Sequence, residues 1–123
     1  MKIHDVTITP LKIITDERGK VMHMLRSDSK IFKQFGEIYF STIFYNKIKA
    51  WHLHKVTTLN YVCIKGKVKF VLFDNRNNSP TKGVIQEIIM SPEKYFEIAS
   101  FKSTSSISSL KSDIVSVVIL FFE

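Results

Sequence analysis

Two histidines separated by a single residue, His52 and His54, lie in the segment Lys49-Ala50-Trp51-His52-Leu53-His54-Lys55 and are the side chains of this chain best suited to chemistry. Side chains of an extended strand alternate between faces, so both imidazoles point one way while Lys49, Trp51 and Leu53 point the other. Two imidazoles facing one cavity suit either a metal ion or proton transfer near neutral pH. A catalytic divalent ion ordinarily takes three protein ligands, and the other two histidines, His4 and His23, both precede the pair. Proton chemistry is therefore the first expectation, without metal or other cofactor. A metal-dependent enzyme using His52 and His54 stands as the alternative.

Cations surround the pair. The formal net charge is +7, with Lys47, Lys49 and Lys55 flanking the histidines and Lys65, Lys67 and Lys69 grouped around Gly66. No helix-turn-helix, zinc-finger or RNP-like pattern accompanies them, so nucleic acid is not expected as a partner. A small anion such as a diphosphate fits the charge equally well. The longest apolar run, residues 117–122, falls far short of the roughly 20 residues of a membrane-spanning helix. The opening Met1-Lys2-Ile3-His4-Asp5 lacks the apolar stretch of a secretory signal. The lone Cys63, within Tyr61-Val62-Cys63-Ile64, reads as a small buried hydrophobe in a reducing compartment. A soluble, cytoplasmic protein is expected.

The elements that must position these residues are almost all strands. Residues 6–14 are β-branched and end at the polar turn Asp16-Glu17-Arg18-Gly19, after which 20–25 resume the pattern. Residues 28–35 form the only helix candidate, barely two turns long by helical geometry. Residues 36–45 make a long aromatic and β-branched strand, and Asn46 follows where a turn wants positive φ. Residues 59–64 and 67–73 flank Lys65-Gly66, a hairpin signal. A polar loop at 74–83 precedes a strand at 84–90. At 123 residues the chain holds one core, so one domain is expected, an all-β sandwich or small barrel.

Asn46, five residues, His52-Leu53-His54, four residues, Leu59, six residues and Gly66 reproduce the spacing of the first motif of cupin jelly rolls, with leucine where that motif has a ligating glutamate. Four further segments are more specific: Asp16-Glu17-Arg18-Gly19, Gly36-Glu37-Ile38-Tyr39-Phe40-Ser41, Lys49-Ala50-Trp51-His52-Leu53-His54-Lys55 and Ser79-Pro80-Thr81. In order and spacing, over residues 6–97, they resemble the branch of the dTDP-4-dehydrorhamnose 3,5-epimerase family that carries Trp-His-x-His-Lys. The resemblance implies a cupin-type jelly roll that works without metal, pairs as a homodimer and takes a nucleotide-sugar substrate. It places His52 at the general base that removes a proton beside a sugar ketone, and Arg18 and Lys49 at basic substrate-binding positions. Arg76 is a weaker substrate-binding candidate. Both arginines read alternatively as turn salt bridges to neighbouring aspartates. His54 is a candidate for lining the pocket or filling the core, Tyr61 for stacking on a nucleobase or packing in a central strand, and Trp51 for the core.

Three features depart from the family. Leu59 replaces a lysine after the base, and His23 stands where a glutamate follows the Arg-Gly turn. Beyond Glu97 the expected Ile-Pro-Pro-Gly-x-Trp is replaced by a serine-dense stretch, so the family's tyrosine acid and base-orienting aspartate lack counterparts. A divergent loop before a last strand at 114–122, a disordered tail and a frame change in the gene all fit, and the abrupt shift in composition favours the last. Residues 98–123 are thus read as a divergent tail, and the jelly roll is expected to miss closing strands. The functional expectation is an epimerase or isomerase of a nucleotide-linked 4-keto-6-deoxy sugar, as in cell-surface polysaccharide synthesis. The other alternative is an impaired cupin that binds the nucleotide sugar without turning it over.

Overall fold

A computed structural model of the chain describes residues 1–53, 58–100, 104–110 and 115–122. Its strands are β1 (Val6–Pro10), β2 (Ile13–Asp16), β3 (Gly19–Met22), β4 (Glu37–Ile43), β5 (Ile48–Leu53), β6 (Thr58–Lys65), β7 (Val68–Asp74), β8 (Ile85–Met90), β9 (Phe96–Ser100), β10 (Thr104–Leu110) and β11 (Val115–Phe122). They form a five-stranded sheet in the order β1-β9-β6-β11-β4, a four-stranded sheet in the order β5-β10-β7-β8, and the hairpin β2-β3. All pairings are antiparallel, the arrangement of a cupin jelly roll. Residues 28–31 form turns and 32–35 have no regular structure, so the one helix candidate is not a helix.

The core lies between the two sheets. Alternation sends Leu59, Tyr61 and Cys63 of β6 inward to meet Val68, Phe70 and Leu72 of β7, with Ile3, Ile43, Ile88, Met90 and Ile98 completing the cluster. Each fully buried aliphatic or aromatic side chain contributes about 1.5–3 kcal/mol of burial. The opposite face of β6 is also covered. Val62 and Ile64 pack with Tyr95 beneath Leu11, Ile13, Met22 and Met24, so the β2-β3 hairpin and its flanks lie over the outside of the five-stranded sheet.

Two expectations change. Lys65-Gly66 is not a hairpin turn, because β6 and β7 belong to different sheets. Gly66, at φ 74°, turns the chain from one layer to the other, and the Cys63 thiol donates to the carbonyls of Lys65 and Gly66 at 3.4 and 3.6 Å. The jelly roll also has its closing strands. β10 enters between β5 and β7, and β11 between β6 and β4, so the serine-dense segment supplies the middle of a sheet. The expected positive φ at Asn46 is observed, at 54°.

Candidate active site

Strand register decides which side chains of β5 face the interior. His52 pairs with Ser106, which pairs with Leu72, and Leu72 is wholly buried. Partners directly opposite share a face, so His52 lies on the inner face of the four-stranded sheet. Simple alternation would place Lys49 on the outer face. The register shifts, however, and Lys49 pairs with Ser108, opposite the buried Phe70. Ala50 and Trp51 together oppose the single residue Ile107, a bulge that brings Lys49 onto the same face as His52.

The facing sheet supports this placement. Tyr39 and Ser41 of β4 align through β11 with the buried Tyr61 and Cys63, so they point inward. The Lys49 ammonium donates to Ser41 Oγ at 2.8 Å, spanning the two layers. The Tyr39 phenol is shifted upward, first by burial and then by the nearby Glu37 carboxylate, which keeps it protonated. His52 and Lys49 are themselves exposed, since β5 is an edge strand and this end of the sandwich opens to solvent. Imidazole and ammonium on one sheet thus face hydroxyl and phenol on the other. Among the described residues no three histidine, cysteine, aspartate or glutamate side chains group to hold a metal ion. No helix there is long and apolar enough to cross a membrane.

The other expected site residues are dispersed. His54 lies outside the described residues. Arg18 sits at the exposed tip of the β2-β3 hairpin, its guanidinium 2.7 Å from Asp16 Oδ2, the turn salt bridge foreseen as the alternative. Arg76 is a structural brace: it donates to both oxygens of the buried Asp74, to Asp5 Oδ2, to Ser79 Oγ and to the His4 carbonyl. Ser79 and Thr81 also donate to Asp74, and this ring of donors, led by Arg76, holds the carboxyl well below the usual range. Tyr61 is buried against Phe70 with ring centroids 4.4 Å apart, a core position. Trp51 is half-exposed on the outer face, edge-on to Phe73 at 6.2 Å, rather than in the core. Sequence reasoning passed over Tyr39 and Ser41, although their alternation within 36–45 already placed both on one face.

The chain is similar to several known proteins in sequence and in fold. A dTDP sugar isomerase from Desulfovibrio desulfuricans G20 superposes with a TM-score of 0.93 at 31% identity, over 97% of this chain and 77% of the other. The dTDP-6-deoxy-D-glucose-3,5-epimerase RmlC of Legionella pneumophila, at 21% identity and a TM-score of 0.89 over 98% of this chain and 68% of its own, shows the shared fold. The probable low-salt glycan biosynthesis epimerase Agl13 of Haloferax volcanii is 31% identical over 90 residues, which are 72% of this chain and 58% of that protein. The spore coat polysaccharide biosynthesis protein SpsL of Bacillus subtilis is 31% identical over 81 residues, 66% of this chain and 54% of its own. The chain spans a little over half the length of these two curated relatives. Residues 4–114 match the family described as FdtA: WxcM-like, C-terminal, and the chain belongs to that family.

Proposed function

We propose that this chain, as a single cupin-like domain, epimerises or isomerises a nucleotide-linked 4-keto-6-deoxy sugar by proton transfer beside the ketone. The observation that carries this reading is the β5 bulge, which sets His52 and Lys49 on one inner face. His52 removes the proton on the carbon next to the carbonyl, and the bonding pair moves to the carbonyl oxygen as an enolate. The Lys49 ammonium stabilises that oxygen, an interaction strengthened where water is excluded. Return of a proton to the carbon from the opposite side inverts it, and the protonated phenol of Tyr39 faces the space from the other sheet. The step consumes no oxidant, reductant or metal.

Arg18, at the hairpin tip, and His54 complete the proposed set as substrate-binding groups. Tyr61 and Arg76 act through packing and bracing. The enzyme works in the cytoplasm as a homodimer, and its product serves surface polysaccharide synthesis. Exposed aromatic side chains along β4 and its flanks, Phe35, Phe40 and Phe44, support the pairing of two copies.

The decisive experiment incubates the purified chain with dTDP-4-keto-6-deoxyglucose in heavy water and follows the sugar by mass spectrometry. Deuterium enters carbon-bound positions with the parent chain and fails to enter with His52→Ala, while the circular dichroism of the variant stays unchanged. Exchange at the parent rate in His52→Ala sinks the assignment of the base.

A further inference from the structure

The outer side of the five-stranded sheet carries a concavity. A pocket of about 790 Å3 opens between β1, the start of β9 and the segment that follows β3. Register separates it from the candidate active site: Glu97 pairs with Thr9 on the outer face, while its neighbour Ile98 is wholly buried in the core between the sheets. The volume lies within the range of small-molecule sites.

Its lining combines three chemistries. Leu11, Met24 and Ile31 supply an apolar wall, Lys12 and Lys30 supply exposed ammonium groups, and Glu97 supplies a carboxyl at the base. Glu97 is only 2% exposed, and its Oε1 has no hydrogen-bond partner among the described residues. An acceptor buried without a donor costs about 1–3 kcal/mol, so the position is destabilising unless something that visits the pocket donates to it. Burial also pushes the Glu97 carboxyl up to about 7, the mark of an acid lacking a counter-charge. Arg26 is turned away from this role by its paired bonds of 2.8 Å to both oxygens of Asp28.

We propose that this outer pocket is a second ligand site for a small anion with an apolar ring and at least one N–H donor, the chemistry of a nucleoside diphosphate. The ring lies against Leu11, Met24 and Ile31, its N–H donates to Glu97 Oε1, and the phosphates lie toward Lys12 and Lys30. The site is independent of the proposed reaction, since a complete sheet stands between the two.

Thymidine 5′-diphosphate is the first probe, with uridine, guanosine and adenosine diphosphates beside it. Binding stoichiometry is measured by equilibrium dialysis, and occupancy of the outer pocket by the NMR shift of the 13C-labelled Met24 methyl. The expected result is a saturable Met24 shift with at least one of the four. Glu97→Gln, nearly isosteric, weakens that response at least tenfold, as loss of a charge-assisted hydrogen bond requires. Lys30→Glu on the surface does the same and decides the matter should Glu97→Gln fold poorly. Lys49→Ala leaves the Met24 response intact. No Met24 shift with any probe, or a shift indifferent to both pocket variants, overturns the second site. Nucleotide binding lost only in Lys49→Ala overturns it too and leaves the proposed function standing. Binding lost only in the pocket variants upholds the site and removes nucleotide recognition from the inner face.

Discussion

His52 acts only in company, and the residue most sensitive to that company is Lys49. Were β5 regular, the ammonium would lie on the outer face beside Trp51, as strict alternation within Lys49-Ala50-Trp51-His52 predicts. A bulge is set by local twist and by the partner strand, so nothing in those four residues reveals it. Lys49→Met keeps the aliphatic stem and removes the charge. It is expected to slow deuterium incorporation about 100-fold or more, in line with the loss of one preorganised electrostatic group, while the thermal midpoint moves little. Glu97 makes a separate prediction through linkage. Its folded carboxyl titrates near 7 against 4.5 when unfolded, so the folded state holds its proton longer. Below pH 4.5 both states are protonated and no penalty applies. Stability falls as pH rises from 4.5 through 7, by on the order of 3 kcal/mol in total. Glu97→Gln should abolish this decline, as read from denaturant midpoints at pH 4.5 and 7.5; an identical decline in the variant would place the titration elsewhere.

At the scale of elements, most strands could be read from period and turn chemistry, because β-branched and aromatic runs bounded by polar turns leave few alternatives. The 36–45 run became β4, and 84–90 became β8, each to within a residue or two. What failed was partnership. Lys65-Gly66 has the composition of a hairpin turn, yet the strands it joins bury Leu59, Tyr61 and Cys63 against Phe70 and Leu72 face to face rather than edge to edge. Gly66→Ala would force a side chain into the left-handed region at this corner and should cost about 1–2 kcal/mol in equilibrium unfolding. The serine-rich strand β10 was illegible for a different reason: serine has weak strand propensity, and ladder bonds from β5 and β7 on both sides override it. The Arg76–Asp74 pair was legible as a turn salt bridge, but its tie to Asp5, 71 positions away, was not. Asp74→Asn leaves the Arg76 guanidinium short of its main counter-charge and should destabilise the fold by about 3 kcal/mol. In the parent chain the same carboxyl gives stability that is complete above its usual value of 3.8 and is lost as pH falls below it.

Across the whole molecule, the two faces of the five-stranded sheet have unlike fates. One faces the core, and the other is covered by the β2-β3 hairpin only near β9 and β6. Toward β4 the aromatic side chains stay bare, with Phe40 67% and Phe44 72% exposed. Because β4 is also the last strand of its sheet among the described residues, this surface is where a second copy is expected to seat. Sedimentation of Phe40→Glu should show a monomer where the parent chain sediments as a dimer, and a parent chain that is monomeric at micromolar concentration would refute the pairing. The family was legible from four short motifs, but the completeness of the jelly roll was not, because it depends on where 104–122 pair rather than on their composition.

The insertion of β10 and β11 between strands made much earlier has a cost in time. β4 and β6 have no common neighbour until β11 arrives, and β5 has none at all until β10 does. During synthesis, therefore, neither layer can close while the first hundred residues leave the ribosome, and their ladders stay open to chaperones or to wrong partners. Folding must await the emergence of residues 104–122, so the arrival of these strands, rather than collapse of the earlier hydrophobic runs, sets the moment at which both layers close.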